Sequence, residues 1–326
     1  MSGPESRADE DEPGGGLPRN EAAVPRSDRQ AERSGGRRGR CWALILAGGA
    51  GERLGRNRPK AFVSLDSRPL LWWSVETFAC HPEITDVLAV VPAGFEVAFR
   101  DEILTPLRHC PDGPVRARVH AAIVGGARRQ DSSRIGLHAI HRETTPAELE
   151  ETIVLIHDAA RPIVPPALIS ASAYALRQRG PCAGMPRAEG PIAVLPVTPV
   201  EDTLKAVAWP KGEPLLRPSD VQLKVDAGTL STRCGQVSRT VPRKGLWRAQ
   251  TPQGFFLQPI LEAHRNAASA SSHATDDVTL YEMHGWPVEA IPGSRLNLKV
   301  ARPEDLVLLE AWVQSPAGRA SVRSVT

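Results

Sequence analysis

The sequence predicts a doubly wound α/β domain built on a mostly parallel β-sheet. Three observations predict it. Short apolar runs recur along the chain at the length of buried strands. Segments with helical spacing lie between several of them, the alternation that produces parallel sheets covered on both faces. A glycine-rich loop follows the first run directly, at the end of a strand where open α/β sheets bind their ligands.

Residues 1–40 are rich in glycine, proline, arginine and acidic residues and nearly free of large apolar ones. Such a segment cannot offset its ordering entropy by burial, so it reads as a disordered tail. Arg37, Arg38 and Arg40 fit a solvated linker better than a phosphate-seeking patch. A folded domain is expected over 41–315. Its first strand is Cys41–Ala47, which stops at Gly48. Further strands are expected at Val87–Val91, Val119–Val124, Ile153–Ile156, Ile192–Val197 and Val288–Ile291. The spacing predicts helices over Pro69–Ala79, Ser132–His141, Pro166–Arg179 and Pro303–Val313. The last has proline in its first turn, with Glu304 and Asp305 matching the positive end of the helix dipole. Residues 206–236 break the rhythm with two turn-like stretches, and Val221–Val225 reads as a short strand. The region 199–243 is therefore expected to leave the domain as a protruding β-arm. The polar end, 316–326, reads as a second disordered tail.

The chain has 326 residues, 41% apolar and 24% charged, enough to bury one sizeable core. A net charge of +3 is too small to indicate nucleic acid or a membrane surface as the main partner. Cys41, Cys80, Cys110, Cys182 and Cys234 are scattered and form no C-x-x-C pair, which argues against a disulfide framework or a zinc site. With neither a secretory h-region nor a membrane-length apolar run, a cytoplasmic location is expected.

The chemistry-bearing segments begin with Ala47-Gly48-Gly49-Ala50-Gly51-Glu52-Arg53, followed by Pro59-Lys60. Glycines after a strand let the backbone approach a triphosphate and point N–H groups at it. Arg53 and Lys60 add cations where displacement at phosphorus builds negative charge. The competing reading is a tight turn with solvent-facing Arg and Lys. The P-loop pattern G-x-x-x-x-G-K-[ST] is absent. Next, Ile153-Val-Leu-Ile-His157-Asp158-Ala-Ala-Arg161 is an apolar strand with a carboxylate at its end, fit to hold a divalent cation or a ligand hydroxyl. Its alternative is a plain Asp158–Arg161 pair. His157 reads as a packing or hydrogen-bonding residue rather than a base.

Gly-Gly-x-Gly-x-Arg-Leu-Gly with a following Pro-Lys resembles nucleotidyltransferases that activate sugar and polyol phosphates. His157-Asp-Ala-Ala-Arg161-Pro narrows the likeness to the 2-C-methyl-D-erythritol 4-phosphate cytidylyltransferase family. Five further stretches resemble it in family order: Gly125–Ser132, Pro196–Lys205, Thr240–Gln253, Ala274–Asp277 and Gly293–Leu306. The resemblance implies a Rossmann-like nucleotidyltransferase fold. It also implies transfer of a cytidylyl group from CTP to a polyol phosphate, assisted by Mg²⁺ or another divalent cation, in a homodimer joined through the β-arm.

By the same resemblance Arg53, Lys60, Arg243 and Lys299 are the catalytic cations. Ala47, Gly48, Gly49, Gly51, Gly126, Ser132, Asp158, Arg161, Thr203 and Thr275 bind substrate, and Asp158 also meets the metal. Taken alone, Ser132 and Thr275 read equally as helix caps, Arg243 as a turn arginine and Trp247 as core. Lys299 reads as a lysine inside an apolar strand, costly unless paired, which points to an anionic ligand.

Some features depart from the family pattern. Ala61 stands where glutamine is usual, Leu46-Ala-Gly-Gly replaces Pro-Ala-Ala-Gly, and two extra residues precede Asp202. The arm carries an insertion as well. Ribitol-phosphate cytidylyltransferases, transferases using another NTP and a non-catalytic binding protein remain the competing classes.

Overall fold

The computed structural model describes residues 39–48, 58–108, 115–180, 190, 192–208, 225–226, 229–230, 235–270 and 274–318. The expected N-terminal tail, apart from 39–40, and the chain from 319 onward lie outside these residues.

The first strand, β1 (Cys41–Leu46), is buried along its whole length. Cys41, Ala43 and Ile45 pack into one core, and Trp42, Leu44 and Leu46 into another. A strand covered on both faces has no polar side, and for that reason it reads as an unbroken apolar run. A small hairpin, β2 (Ser64–Leu65) and β3 (Arg68–Pro69), leads into α1 (Leu70–Cys80) and β4 (Asp86–Val91). The next stretch is helical throughout: α2 (Glu96–Phe99), a π-helical turn over Arg100–Leu104, and α3 (Thr105–Leu107). Then come β5 (Arg118–Val119), β6 (Ile123–Val124), α4 (Arg129–Arg142), β7 (Ile153–Asp158), α5 (Pro166–Arg179) and β8 (Ala193–Pro199).

The second half holds β9 (Leu204–Ala208), β10 (Val225–Asp226), β11 (Thr229–Leu230), β12 (Gln236–Val241) and β13 (Trp247–Ala249). These are followed by β14 (Gln253–Phe256), α6 (Leu257–Ser269), α7 (Val278–His284), β15 (Val288–Pro292) and α8 (Pro303–Gln314).

Among the described residues nine strands form one sheet, ordered β13-β8-β14-β7-β1-β4-β5, with β15 beside β8 and β6 beside β4. The pairings of β1 with β4 and β7, of β4 with β5 and β6, and of β8 with β15 are parallel. β14 runs antiparallel between β7 and β8. Buried residues of α1, α5 and α8 (Val75, Ile169, Leu306) fill the core on one face. Leu137 of α4, Ile260 of α6 and Leu280 of α7 fill the other. The doubly wound, mostly parallel α/β sheet that the sequence predicts is the fold observed.

Several local expectations need correction. Val119–Val124 is two short strands, because residues 120–122 leave the ladder between them. The helix expected from Ser132 begins one turn earlier, at Arg129. Lys299 is not in a strand: β15 ends at Pro292, and the chain after it is irregular. Trp247 is not core but 57% exposed, on a strand that among the described residues pairs with β8 alone. In the arm region β9 and β12 form an antiparallel hairpin in which Leu204 faces Val241. Of the strand read at Val221–Val225, only Val225 is described.

Candidate active site

The parallel strands bring their carboxyl ends to one edge, and the polar residues of the predicted loops collect there. The register of β1 against β7 sets Leu46 beside Asp158. Ala47 and Gly48 therefore emerge next to that carboxylate, and the Ala47 N–H donates to the Val90 carbonyl at the end of β4. Gly125 and Gly126 follow β6, and α4 starts just after them. Ser132 is not the helix cap but lies in the first turns of α4, accepting from the Gly126 N–H at 3.1 Å and donating to the Arg128 carbonyl at 3.1 Å. Small residues are required around it. A Cβ at Gly48 would stand 3.0 Å from Ser132 Oγ, and one at Gly126 2.4 Å from Asp131 Cβ.

Asp158 is 9% exposed and does not pair with Arg161. Its Oδ1 accepts from Arg129 Nε at 2.9 Å and its Oδ2 from Lys299 Nζ at 2.7 Å. Burial opposes ionisation of this carboxyl, yet the two cations outweigh it and hold the group well below the usual carboxylate range. Lys299 thus has a protein carboxylate as partner, where the sequence pointed to a ligand anion. Arg161 binds backbone carbonyls, Asn297 at 2.7 Å and Ala249 at 3.2 Å, and so ties the end of β7 to the irregular segment that carries Lys299. Lys60 Nζ donates to the carbonyl of Val300 at 2.5 Å, one residue beyond Lys299. The Val300 N–H in turn donates to the Ala160 carbonyl at 2.7 Å.

His157 serves structure, as expected. Its ring is fully buried and packs against Phe78 with centroids 5.2 Å apart. Nε2 faces the Arg161 carbonyl at 3.0 Å and must donate to it, so Nδ1 accepts from the Thr251 hydroxyl at 2.9 Å. That hydroxyl accepts the Asp158 N–H at 3.1 Å. Burial pushes the imidazole down to about 4. A histidine depressed from 6.5 to about 4 favours the folded state above pH 6.5, and that contribution is lost as pH falls from 6.5 toward 4. Unfolding free energy is expected to drop by about 3 kcal/mol over this window from His157 alone. Urea midpoints at pH 7 and pH 4.5 check this, with His157→Gln flattening the slope.

Two residues absent from the sequence reading complete the cluster. Arg129 bridges Asp158 to Asp277, its Nη1 lying 2.6 Å from Asp277 Oδ2. Asp277 is 1% exposed and also accepts from Ser133 and His264. Arg129 lay within the motif Gly125–Ser132, and Asp277 beside Thr275, but no spacing rule said which of two adjacent arginines or aspartates faces inward. Thr275 itself is not the cap of α7. Asp277 stands at the cap position, and Asp276 supplies the side-chain bond there, accepting from the Thr279 N–H at 3.0 Å.

No hydrogen bond or ion pair among the described residues joins Thr203 or Arg243 to this cluster. Both are exposed at the base of the β9–β12 hairpin. Gly49, Gly51 and Arg53 lie outside the described residues.

Comparison with known proteins supplies the context. The family described as "IspD: 2-C-methyl-D-erythritol 4-phosphate cytidylyltransferase" matches residues 41–211 and 224–315. The match passes over 212–223, inside the inserted arm. A protein of that name from Syntrophotalea carbinolica is 34% identical over 275 residues, covering 84% of this chain and 97% of its own. Another from Frankia casuarinae is 35% identical over 269 residues, covering 82% and 79%. A crystal structure of the Thermus thermophilus protein of that name superposes with a TM-score of 0.55 at 29% identity, covering 84% of this chain and 98% of that one.

Proposed function

Because the chain belongs to the 2-C-methyl-D-erythritol 4-phosphate cytidylyltransferase family, we infer that it transfers a cytidylyl group from CTP to 2-C-methyl-D-erythritol 4-phosphate, releasing pyrophosphate, in isoprenoid precursor synthesis. The observation that carries this reading is the Lys299–Asp158–Arg129 chain at the carboxyl edge of the sheet, with Lys60 bonded to the backbone carbonyl of Val300, the residue next to Lys299.

A phosphate oxygen of the acceptor attacks the α-phosphorus of CTP. A new P–O–P bridge forms, and the bond to the β-phosphate breaks. Lys60 and Arg53 neutralise the charge that grows on the triphosphate. Lys299, held by Asp158 Oδ2 through one of its three N–H donors, receives the acceptor phosphate with the others and aligns it, and Thr275 and Arg161 are assigned to substrate beside it. The Gly126 backbone and Ser132 meet the cytosine, and Ala47, Gly48, Gly49 and Gly51 bring N–H groups to the phosphates. Catalysis comes from positioning and charge, with no covalent intermediate. Each Asp158 oxygen carries one hydrogen bond and keeps a lone pair, so this carboxylate would be the group to hold Mg²⁺ or a similar hard cation. Such an ion would supply charge neutralisation at the triphosphate.

The reading includes a homodimer. Thr203 and Arg243 then act on the acceptor phosphate of a partner's site, and an arginine fork suits that phosphate. Exposed apolar residues at the arm and its base, Val207, Val237, Leu246 and Trp247, support this. A cytoplasmic location, with no nucleic-acid or membrane partner, completes it. Among the described residues no helix is long and apolar enough to cross a membrane.

Pyrophosphate release with CTP, UTP, GTP and ATP against methylerythritol phosphate and ribitol 5-phosphate tests the assignment. Turnover is expected only with CTP and methylerythritol phosphate, and a better rate with ribitol 5-phosphate contradicts it. Gly126→Ala, whose added Cβ cannot fit beside Asp131 without a shift, is expected to raise KM for CTP about tenfold with a smaller effect on the acceptor.

A further inference from the structure

We propose that Asp277 is a positioning residue for the transfer, acting through Arg129 to keep Lys299 at its station. The proposal rests on the transferase reading of the Asp158 site.

A carboxylate is buried at a cost unless charge and donors surround it. Asp277 is surrounded from every side. Its Oδ2 accepts from Arg129 Nη1 at 2.6 Å, and its Oδ1 from Ser133 Oγ at 2.6 Å and His264 Nε2 at 3.0 Å. Its N–H donates to Gln253 Oε1 at 3.1 Å. These partners come from α4, α6 and β14. Asp277 occupies the position before the helix, but its side chain makes no cap bond, and the Thr279 N–H donates to Asp276 instead. A stiffly held anion with no helix-capping duty is what a remote anchor for Arg129 requires.

The Arg129 fork is split between two carboxylates. An arginine and a carboxylate favour two parallel hydrogen bonds, but neither partner offers both oxygens. Asp158 gives Oδ1 to Arg129 Nε and Oδ2 to Lys299. Asp277 gives Oδ2 to Arg129, while Ser133 and His264 hold Oδ1. Arg129 Nη2 is consequently buried with no hydrogen-bond partner among the described residues. That unmet donor gives Arg129 a standing tendency to close on Asp158 with both Nε and Nη2, which would displace Lys299. The pull of Asp277 on Nη1 opposes the closure. Asp277 therefore reserves one Asp158 oxygen for Lys299, which stays positioned to receive the acceptor phosphate.

The test measures acceptor binding by calorimetry, with CTP replaced by a non-hydrolysable α,β-methylene analogue. Asp277→Asn is expected to weaken methylerythritol phosphate binding about tenfold and to leave the analogue within about twofold. In a Lys299→Ala background the same substitution is expected to have no further effect on acceptor binding, because its effect passes through Lys299. Arg129→Lys keeps the charge but cannot span both carboxylates, so it is expected to give the same selective loss even if Asp277→Asn folds poorly. Equal weakening of both ligands, a full effect persisting in Lys299→Ala, or unchanged acceptor binding in Arg129→Lys overturns the proposal. A wild-type protein that releases no pyrophosphate from CTP and the acceptor overturns the transferase reading itself, before any variant is compared.

Discussion

Replacing Lys60 by alanine is expected to lower kcat by about three orders of magnitude while lowering the thermal midpoint by only a few degrees. A cation aimed at charge that develops only in the transition state acts in a site shielded from water, where one such group is worth about 10²–10³ or more in rate. The cost to the fold is small by comparison. Lys60 is half-buried, and its hydrogen bond to the Val300 carbonyl goes to a backbone group that water can reach in its place. Losing it costs about 1 kcal/mol, a shift of a few degrees for a domain of this size. Steady-state pyrophosphate release and calorimetry on the same preparation separate the two effects. Turnover close to wild type would remove Lys60 from the machinery.

Asp158→Ala should damage both activity and stability. Breaking a buried ion pair from one side strands the remaining charge and typically costs about 3–5 kcal/mol. The lower end, about 3 kcal/mol, is expected here for two reasons. The Lys299 side chain is 49% exposed and returns to water, and Arg129 keeps Asp277. Activity is expected to fall at least about 100-fold, because Lys299 loses the anchor that aims it. Urea denaturation gives the first number and kcat the second. An active, fully stable Asp158→Ala protein would contradict the network as described.

The fold was legible in the sequence where burial is total. β1, β4 and β7 are covered on both faces, so their apolar runs stood out, and Pro166 and Pro303 marked two helix starts within a residue of where they lie. β14 and α6 were missed because Gln253–Phe256 is too short to show alternation, and a helix follows it without a break. Trp247 was misplaced because hydrophobicity alone cannot tell a core strand from one whose face is left exposed. In the site, the glycines and Asp158 were readable as strand-end chemistry. The pairing was not: Lys299 is 141 residues from Asp158 and Arg129 is 148 from Asp277, contacts that only the sheet order creates. The orphaned Arg129 Nη2 leaves no trace in sequence at all.

Phosphorus NMR of CTP mixed with methylerythritol phosphate and enzyme tests the central claim most directly. Direct attack of the acceptor phosphate on the α-phosphorus predicts a new pair of coupled diphosphate resonances, with an equimolar pyrophosphate signal growing beside them. CMP and pyrophosphate appearing while the acceptor resonance stays unchanged, or CTP remaining intact, would contradict it.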